Sequence, residues 1–245
     1  MKKLWMILFL GMALTAESQV WFEAAAKGTY GFKGFLNTNI MDDGRVNYEL
    51  PTGYAYGGRF GVNFGYYNGV SIEALLANNT QKFEVEGPTG GTQNYSINWK
   101  ATDLYLLYRL YGEKTFLELG PKLSRLSSVD QIITTNNIDA KYPVVIGEDY
   151  RDYWSAALGF GTYVFGVSNF SLMLGARFEY ALQDFVGEQG KAKNLPLPTL
   201  TPAYTNYKSS SPYSIQVCME LNFGLGYFAK AACGRRGFFF KYDSY

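Results

Sequence analysis

Fifteen consecutive residues, Tyr213 to Tyr227, alternate without a break between bulky apolar and small or polar side chains. Tyr213, Ile215, Val217, Met219, Leu221, Phe223, Leu225 and Tyr227 take one parity; Ser214, Gln216, Cys218, Glu220, Asn222, Gly224 and Gly226 take the other. Period two puts successive side chains on opposite faces of a strand, whereas a helix would scatter them around its axis. The pattern recurs. Phe170, Leu172, Leu174, Ala176, Phe178, Tyr180 and Leu182 alternate with Ser171, Met173, Gly175, Arg177, Glu179 and Ala181. Tyr54, Tyr56, Phe60, Val62, Phe64 and Tyr66 oppose Gly57, Arg59, Gly61, Asn63 and Gly65. Trp154, Ala156, Leu158, Phe160 and Val164 oppose Ser155, Ala157, Gly159 and Gly161. Four further strands are expected near Val20–Phe32, Val70–Val85, Ile97–Leu110 and Thr115–Leu126. Ile97 and Trp99 fall on the wrong parity for theirs, which predicts a bulge or a part beyond the membrane.

The connections alternate in length. Tyr67-Asn68-Gly69, Tyr111 to Lys114 and Gly166 to Asn169 read as tight turns. Gly34–Pro51, Gly87–Asn94, Ser127–Asp152 and Gly187–Ser210 read as long loops. Eight antiparallel strands with short turns at one end and long loops at the other describe an all-β transmembrane barrel, its short turns periplasmic and its long loops extracellular. A soluble eight-stranded barrel that holds an apolar ligand inside is the rival architecture. The two differ in which face looks inward. One face here is crowded with Gly, Ala and Ser plus a few long charged residues, which suits the narrow lumen of an eight-stranded barrel. The other is Tyr, Phe, Leu, Ile and Val. In water it would be a very large apolar patch; against lipid it is expected.

That assignment sends five cations inward, Lys27, Arg59, Arg109, Lys122 and Arg177, and six anions, Glu23, Glu73, Asp103, Glu118, Glu179 and Glu220. Buried charges are costly unless paired and hydrogen-bonded. A paired network that fills the lumen and leaves no open pore follows. Trp21, Tyr66, Tyr67, Tyr111, Trp154, Tyr213 and Tyr227 lie near expected strand ends and fit interfacial aromatic girdles.

Residues Met1 to Ser18 read as a secretory signal. Lys2 and Lys3 precede the apolar run Leu4–Leu14, which is shorter than the roughly 20 residues a spanning helix needs, and Ala16 and Ser18 are small residues before Gln19. The barrel is then expected over residues 19–228 and a periplasmic tail over 229–245. Net charge is +1, which gives no general attraction to nucleic acid. The chain has no His, which removes His-based triads, His metal sites and His pH switches. No spacing suggests a catalytic, cofactor-binding or metal site, so no enzyme activity and no cofactor are expected. Glu148, Asp149 and Asp152 read as a solvated acidic loop, since calcium needs about six to eight oxygen ligands. Cys218 points inward at mid-strand and Cys233 lies beyond the strand's end, too far for a disulfide; free thiols are expected. In the tail, Arg235 and Arg236 precede Phe238, Phe239 and Phe240, a candidate segment for docking a periplasmic partner or for lying along the inner lipid surface.

The signal ending at Ser18 before Gln19, the alternating strand from Tyr213 and the three short turns resemble the outer-membrane β-barrel proteins of Bacteroidota. That group includes PorT-like chains and shares the eight-stranded layout of the OmpA membrane domain. The resemblance implies an outer-membrane location, surrounding lipid, and a role as a structural or interaction component of an envelope or secretion complex, with envelope proteins as partners. A small-solute channel or hydrophobic-ligand carrier is the alternative.

Overall fold

The computed structural model describes residues 20–86, 91–167 and 169–227, with only the backbone of Tyr227. Ten strands and two short helices follow in chain order: β1 (Val20–Leu36), α1 (Thr38–Met41), β2 (Val46–Tyr48), β3 (Thr52–Phe64), β4 (Asn68–Glu86), β5 (Thr92–Tyr111), β6 (Thr115–Thr135), β7 (Ile138–Tyr142), β8 (Tyr153–Val167), β9 (Phe170–Ala181), α2 (Glu188–Ala192) and β10 (Ser211–Tyr227). Eight of the strands form an antiparallel ring, β1-β3-β4-β5-β6-β8-β9-β10, closed by the pairing of β10 with β1. Closure leaves no free sheet edge along the ring. Following hydrogen-bonded partners once round, from Gly31 through Gln216, Arg177, Gly159, Glu118, Arg109, Gly69 and Asn63, returns to β1 at Trp21, ten positions away. Eight strands with that stagger tilt by about 40° to the barrel axis.

The alternation read from the sequence sets the faces. Ile72, Leu119 and Val217 point outward with 57, 56 and 63 % of their surface exposed, while Arg109, Arg177 and Glu220 point inward and are buried. The outward apolar run of β10 from Ile215 to Leu225 covers about 33 Å along the strand. At that tilt it stands about 25 Å high, the height of the apolar band of transmembrane barrels. The band stops abruptly. On β4 the outward positions change from Val70, Ile72 and Leu76 to Asn78, Thr80, Lys82, Glu84 and Glu86; on β5 they change from Leu110, Tyr108, Leu106 and Leu104 to Thr102, Lys100, Asn98 and Ser96.

Beyond the band, β4, β5 and β6 continue upward as a half-wall, flanked by β2 on β4 and β7 on β6. β4 runs close to its expected Val70–Val85, whereas β5 and β6 extend past the Ile97–Leu110 and Thr115–Leu126 expected from sequence. A bulge does lie at the predicted level. Lys100 pairs with Ser128 and Ala101 with Leu126, so Ser127 is the extra residue. It sits on β6, not on the strand that carries Ile97 and Trp99. β5 keeps its parity, and Ile97 and Trp99 face inward. The turn between β3 and β4 also differs: Asn68 and Gly69 already belong to β4, and Gly65, at φ 65°, makes the bend with Tyr66 and Tyr67. A glycine there adopts the left-handed conformation at no steric cost.

Candidate functional site

The lumen is filled at two levels. In the lower level, four cations and four anions interlock. Arg109 clamps Glu220 with both terminal nitrogens (2.9 and 2.9 Å) and donates to Glu118 Oε2 (2.7 Å). Arg177 clamps Glu73 (2.8 and 3.1 Å) and reaches Glu118 through Nε (2.8 Å). Lys27 Nζ sits among Glu73 (2.8 Å), Glu220 (3.3 Å) and Glu118 (3.7 Å). Arg59 donates to Glu220 (2.9 Å), to Asn222 (3.1 Å) and to Glu23, which also accepts from Tyr111 Oη (2.7 Å). Rings complete the packing: the guanidinium carbon of Arg109 lies 4.4 Å from the Phe116 ring centre, and that of Arg177 lies 4.6 Å from Tyr105. A second cluster joins Lys122 to Glu179 (2.7 Å) and Asp103 (3.2 Å). Glu179 also accepts from Tyr105 Oη (2.8 Å) and Gln216 (2.6 Å), and Asp103 from Ser124 (2.6 Å). Bidentate, charge-assisted bonds of this kind are the strong ones, and they offset the desolvation that an isolated buried charge would suffer.

All eleven charges assigned to the interior from the sequence meet here. One was missed. Lys33, on the lumen side of β1, is buried and donates to Thr29 Oγ1 (3.3 Å). The sequence pattern places the end of that strand near Phe32. With Lys33 the described interior carries six cations and six anions. Two girdle assignments are corrected as well. Tyr111 is buried inside and bonded to Glu23, and Trp21 turns its ring toward Tyr111, with centroids 6.4 Å apart. Tyr66, Tyr67 and Trp154 face outward. Cys218 is a buried free thiol. Cys233, the expected signal over Met1 to Ser18 and the Arg235, Arg236, Phe238, Phe239 and Phe240 segment lie outside the described residues.

The upper level corrects the expectation of a polar interior throughout. Above Lys33 and Lys122 the lumen is mainly apolar, with Gln81 and Gln131 buried among the rings. Phe185, fully buried, is its hub: ring centroids of Tyr150, Trp99, Phe35 and Tyr153 lie 4.7, 5.3, 5.8 and 5.8 Å away. Leu195, Leu197 and Leu200 from the last long loop pack with Phe83, Val85, Tyr95, Ile97, Val129 and Ile133 on the inner face of the half-wall. The Gly187–Ser210 segment, a long loop by its sequence, is therefore a lid folded into the mouth. Gln131 Nε2 donates to Pro196 O (2.7 Å), and Tyr95 is bonded to Thr199. Between the aromatic core and the network a cavity of about 10 Å³ remains, lined among others by Trp99, Tyr153, Lys33, Lys122 and Ser214.

Polar clasps hold the loops to one another. Asp149 is buried, accepts from Val145 N (2.9 Å) and pairs with Lys193 (2.7 Å), so it is not the solvated acid expected from its sequence neighbours. Asp43 accepts from Arg45 Nε and Nη2 (2.9 and 2.6 Å) and from Tyr204 Oη (3.0 Å). The Arg45 hydrogen bonds hold the Asp43 carboxyl down at about 2. Burial raises the Tyr204 and Tyr207 hydroxyls. Among the described residues no group of three or more His, Cys, Asp or Glu is placed to hold a metal ion.

No family model and no curated protein matches the chain. Solved structures that are similar include Ail, the attachment invasion locus protein of Yersinia pestis, at 13% identity and a TM-score of 0.38, covering 82% of this chain and 98% of that one. Neisserial surface protein A is similar at 9% and 0.36, covering 82% and 96%. The outer membrane protein OprG of Pseudomonas aeruginosa is similar at 14% and 0.36, covering 83% and 96%. With identities this low and TM-scores below 0.5, these likenesses bear on neither the partners nor the activity of this chain.

Proposed function

We propose that this chain is a sealed barrel of a Gram-negative outer membrane that works by contact: a structural or interaction component whose folded extracellular module, and whose periplasmic tail, meet other envelope components. One observation carries the reading. The lumen is closed twice, by the paired charges below and by the Phe185 core above, while the outward apolar band gives the barrel a lipid-facing surface. A conducting channel needs a continuous wet path, and a carrier of apolar ligands needs an enclosed apolar pocket of several hundred Å³; the cavity of about 10 Å³ in the lumen offers neither, and a hollow of about 500 Å³ beside Ile138 and Tyr142 is an open groove at the rim rather than an enclosed pocket. The buried carboxylates are engaged with cations rather than poised for proton transfer, which supports binding over catalysis. The narrower likeness to the PorT-like barrels of Bacteroidota, with a place in a secretion complex, belongs to the same proposal, as does docking through Arg235, Arg236, Phe238, Phe239 and Phe240. Reconstitution in planar bilayers, paired with gentle purification from native membranes, tests it. The expected result is a silent barrel that brings a fixed partner with it; stable solute-selective conductance defeats the proposal.

A further inference from the structure

Among the described residues β7 has a hydrogen-bonded neighbour on one side only, β6. Ile138, Asp139, Ala140 and Lys141 are exposed. On the inward face, Ile138, Ala140 and Tyr142 line a groove of about 500 Å³ with Ile133, Thr135 and Thr199. Thr199 of the lid borders it, and the exposed Ile138 and Ala140 form its outer side. On the outward face, Asp139 is bonded to Thr134 (2.6 Å) and Lys141 to Asp130, and Lys141 still exposes 69 % of its side chain. The five residues read Ile-Asp-Ala-Lys-Tyr, a strand that is self-complementary about Ala140.

We propose that the occupant of this edge is a second copy of the same chain, paired antiparallel through β7 with Ala140 opposite Ala140. In that register Asp139 of each copy faces Lys141 of the other, and Ile138 lies beside Tyr142 over the groove. Sliding by two residues, the smallest shift that keeps the faces, sets Asp139 against Asp139 or Lys141 against Lys141. Opposite charges across a strand pair stabilise and like charges destabilise, so charge selects a single register. The geometry also fixes the membrane relation. An antiparallel pair of identical strands has its two-fold axis perpendicular to the sheet. Apart from a gap at Gly120-Pro121 and the bulge at Ser127, β6 pairs with β5 from the barrel base to Thr135, so this sheet continues the barrel wall and its perpendicular lies across the barrel axis. The second barrel is then inverted and belongs to a facing membrane. A five-residue edge is smaller than a standard stable interface, so the contact acts through many copies at once.

The inference rests on the reading of the chain as a membrane barrel that works by contact, and the test separates the two. The full chain is reconstituted into phosphatidylcholine vesicles, insertion is read by sedimentation with the lipid and by heat-modifiable gel mobility, and vesicle clustering is read by turbidity. Wild-type vesicles cluster with rising protein density. Asp139→Lys and Lys141→Asp each slow clustering about tenfold. Mixing the two variant populations restores it. The first variant carries a cation at both outward positions of β7 and the second an anion at both, so each mixed pair sets two cations against two anions. Restoration on mixing also shows that neither variant is misfolded. Inserted barrels whose vesicles stay dispersed, or cluster equally in every variant, overturn the pairing and leave the sealed-barrel reading intact. A chain that stays in water without inserting overturns both.

Discussion

At the scale of single residues, the lumen shows why partners matter more than charges. Arg177 serves two carboxylates, Glu73 and Glu118. Replacing it by Met leaves both in a dry site with less compensation, and breaking a buried pair from one side costs about 3–5 kcal/mol. Arg177→Met is expected to lower the urea midpoint of the barrel refolded in detergent accordingly, and adding Glu118→Gln to recover part of the loss; an unchanged midpoint would deny the network its structural role. Asp43 makes a pH prediction with a definite sign. Its folded value, about 2, lies below the ordinary carboxylate range, so its clasp contributes fully above about pH 4 and is lost as pH falls through about 2. Pepsin, active across this window, is expected to nick the Thr38–Tyr48 segment near pH 2 but not near pH 4, and Asp43→Asn to be nicked at both. The eleven interior charges were legible because each sits in an alternating run whose other face is unmistakably apolar. Lys33 was not: Gly31 and Gly34 flank it, and no apolar partner at Gly34 marks the strand as continuing. Nor was Tyr111, since a ring near a strand end fits a girdle and a lumen equally well until its partner, Glu23, is known to lie across the barrel.

At the scale of elements, the strands of the half-wall explain where pattern reading stops. In β5 the apolar residues occupy outward positions from Leu110 to Leu104 and inward positions from Trp99 to Tyr95, although the backbone parity never slips. What changes is the surroundings. Inside the bilayer the outer face is the apolar one; above it, water lies outside and the lid core inside. The sequence pattern shifts phase while the strand does not, and a shift of phase looks like a strand's end. Local backbone detail was equally hidden. The β5–β6 ladder has a gap at Leu106–Leu107 opposite Gly120-Pro121, where Pro121 has no N–H to give. A Cβ on Gly120 would stand 2.0 Å from the Leu106 carbonyl oxygen, so Gly120→Ala forces the two strands apart and is expected to lower the yield of refolded, heat-modifiable barrel. The lid is a separate packing unit with its own weak point. Phe185→Ala removes the ring around which four others pack and costs about 3–5 kcal/mol. The expected outcome is proteolysis within Gly187–Ser210 while the barrel strands stay protected; barrel and lid lost together would mean that the two cores fold as one.

At the scale of the whole molecule, two seals of opposite chemistry sit in one lumen, and the question is whether either depends on the other. The contacts that tie Arg59, Arg109 and Arg177 to Glu23, Glu73, Glu118 and Glu220 come from β1, β3, β4, β5, β6, β9 and β10, with no loop residue among them. The lid in turn rests on the inner face of the half-wall above the lipid band. The Lys122–Glu179 cluster lies between the two, and Lys33 and Lys122 line a small cavity with Trp99 and Tyr153 of the aromatic core. Removing the lid by linking Gly187 to Asn206 through a short Gly-Ser segment keeps Phe185 on Phe35, Trp99 and Tyr153 but takes Leu195, Leu197 and Leu200 off Phe83, Tyr95 and Ile97, wetting those side chains while leaving the lower charges paired. In a lumen this narrow, paired side chains fill the cross-section. The shortened barrel is expected to insert, to lose stability as its apolar core is wetted, and still to pass no current in planar bilayers. Current through the lid-less barrel would mean that the charges line a path rather than block one, and that the lid is a gate.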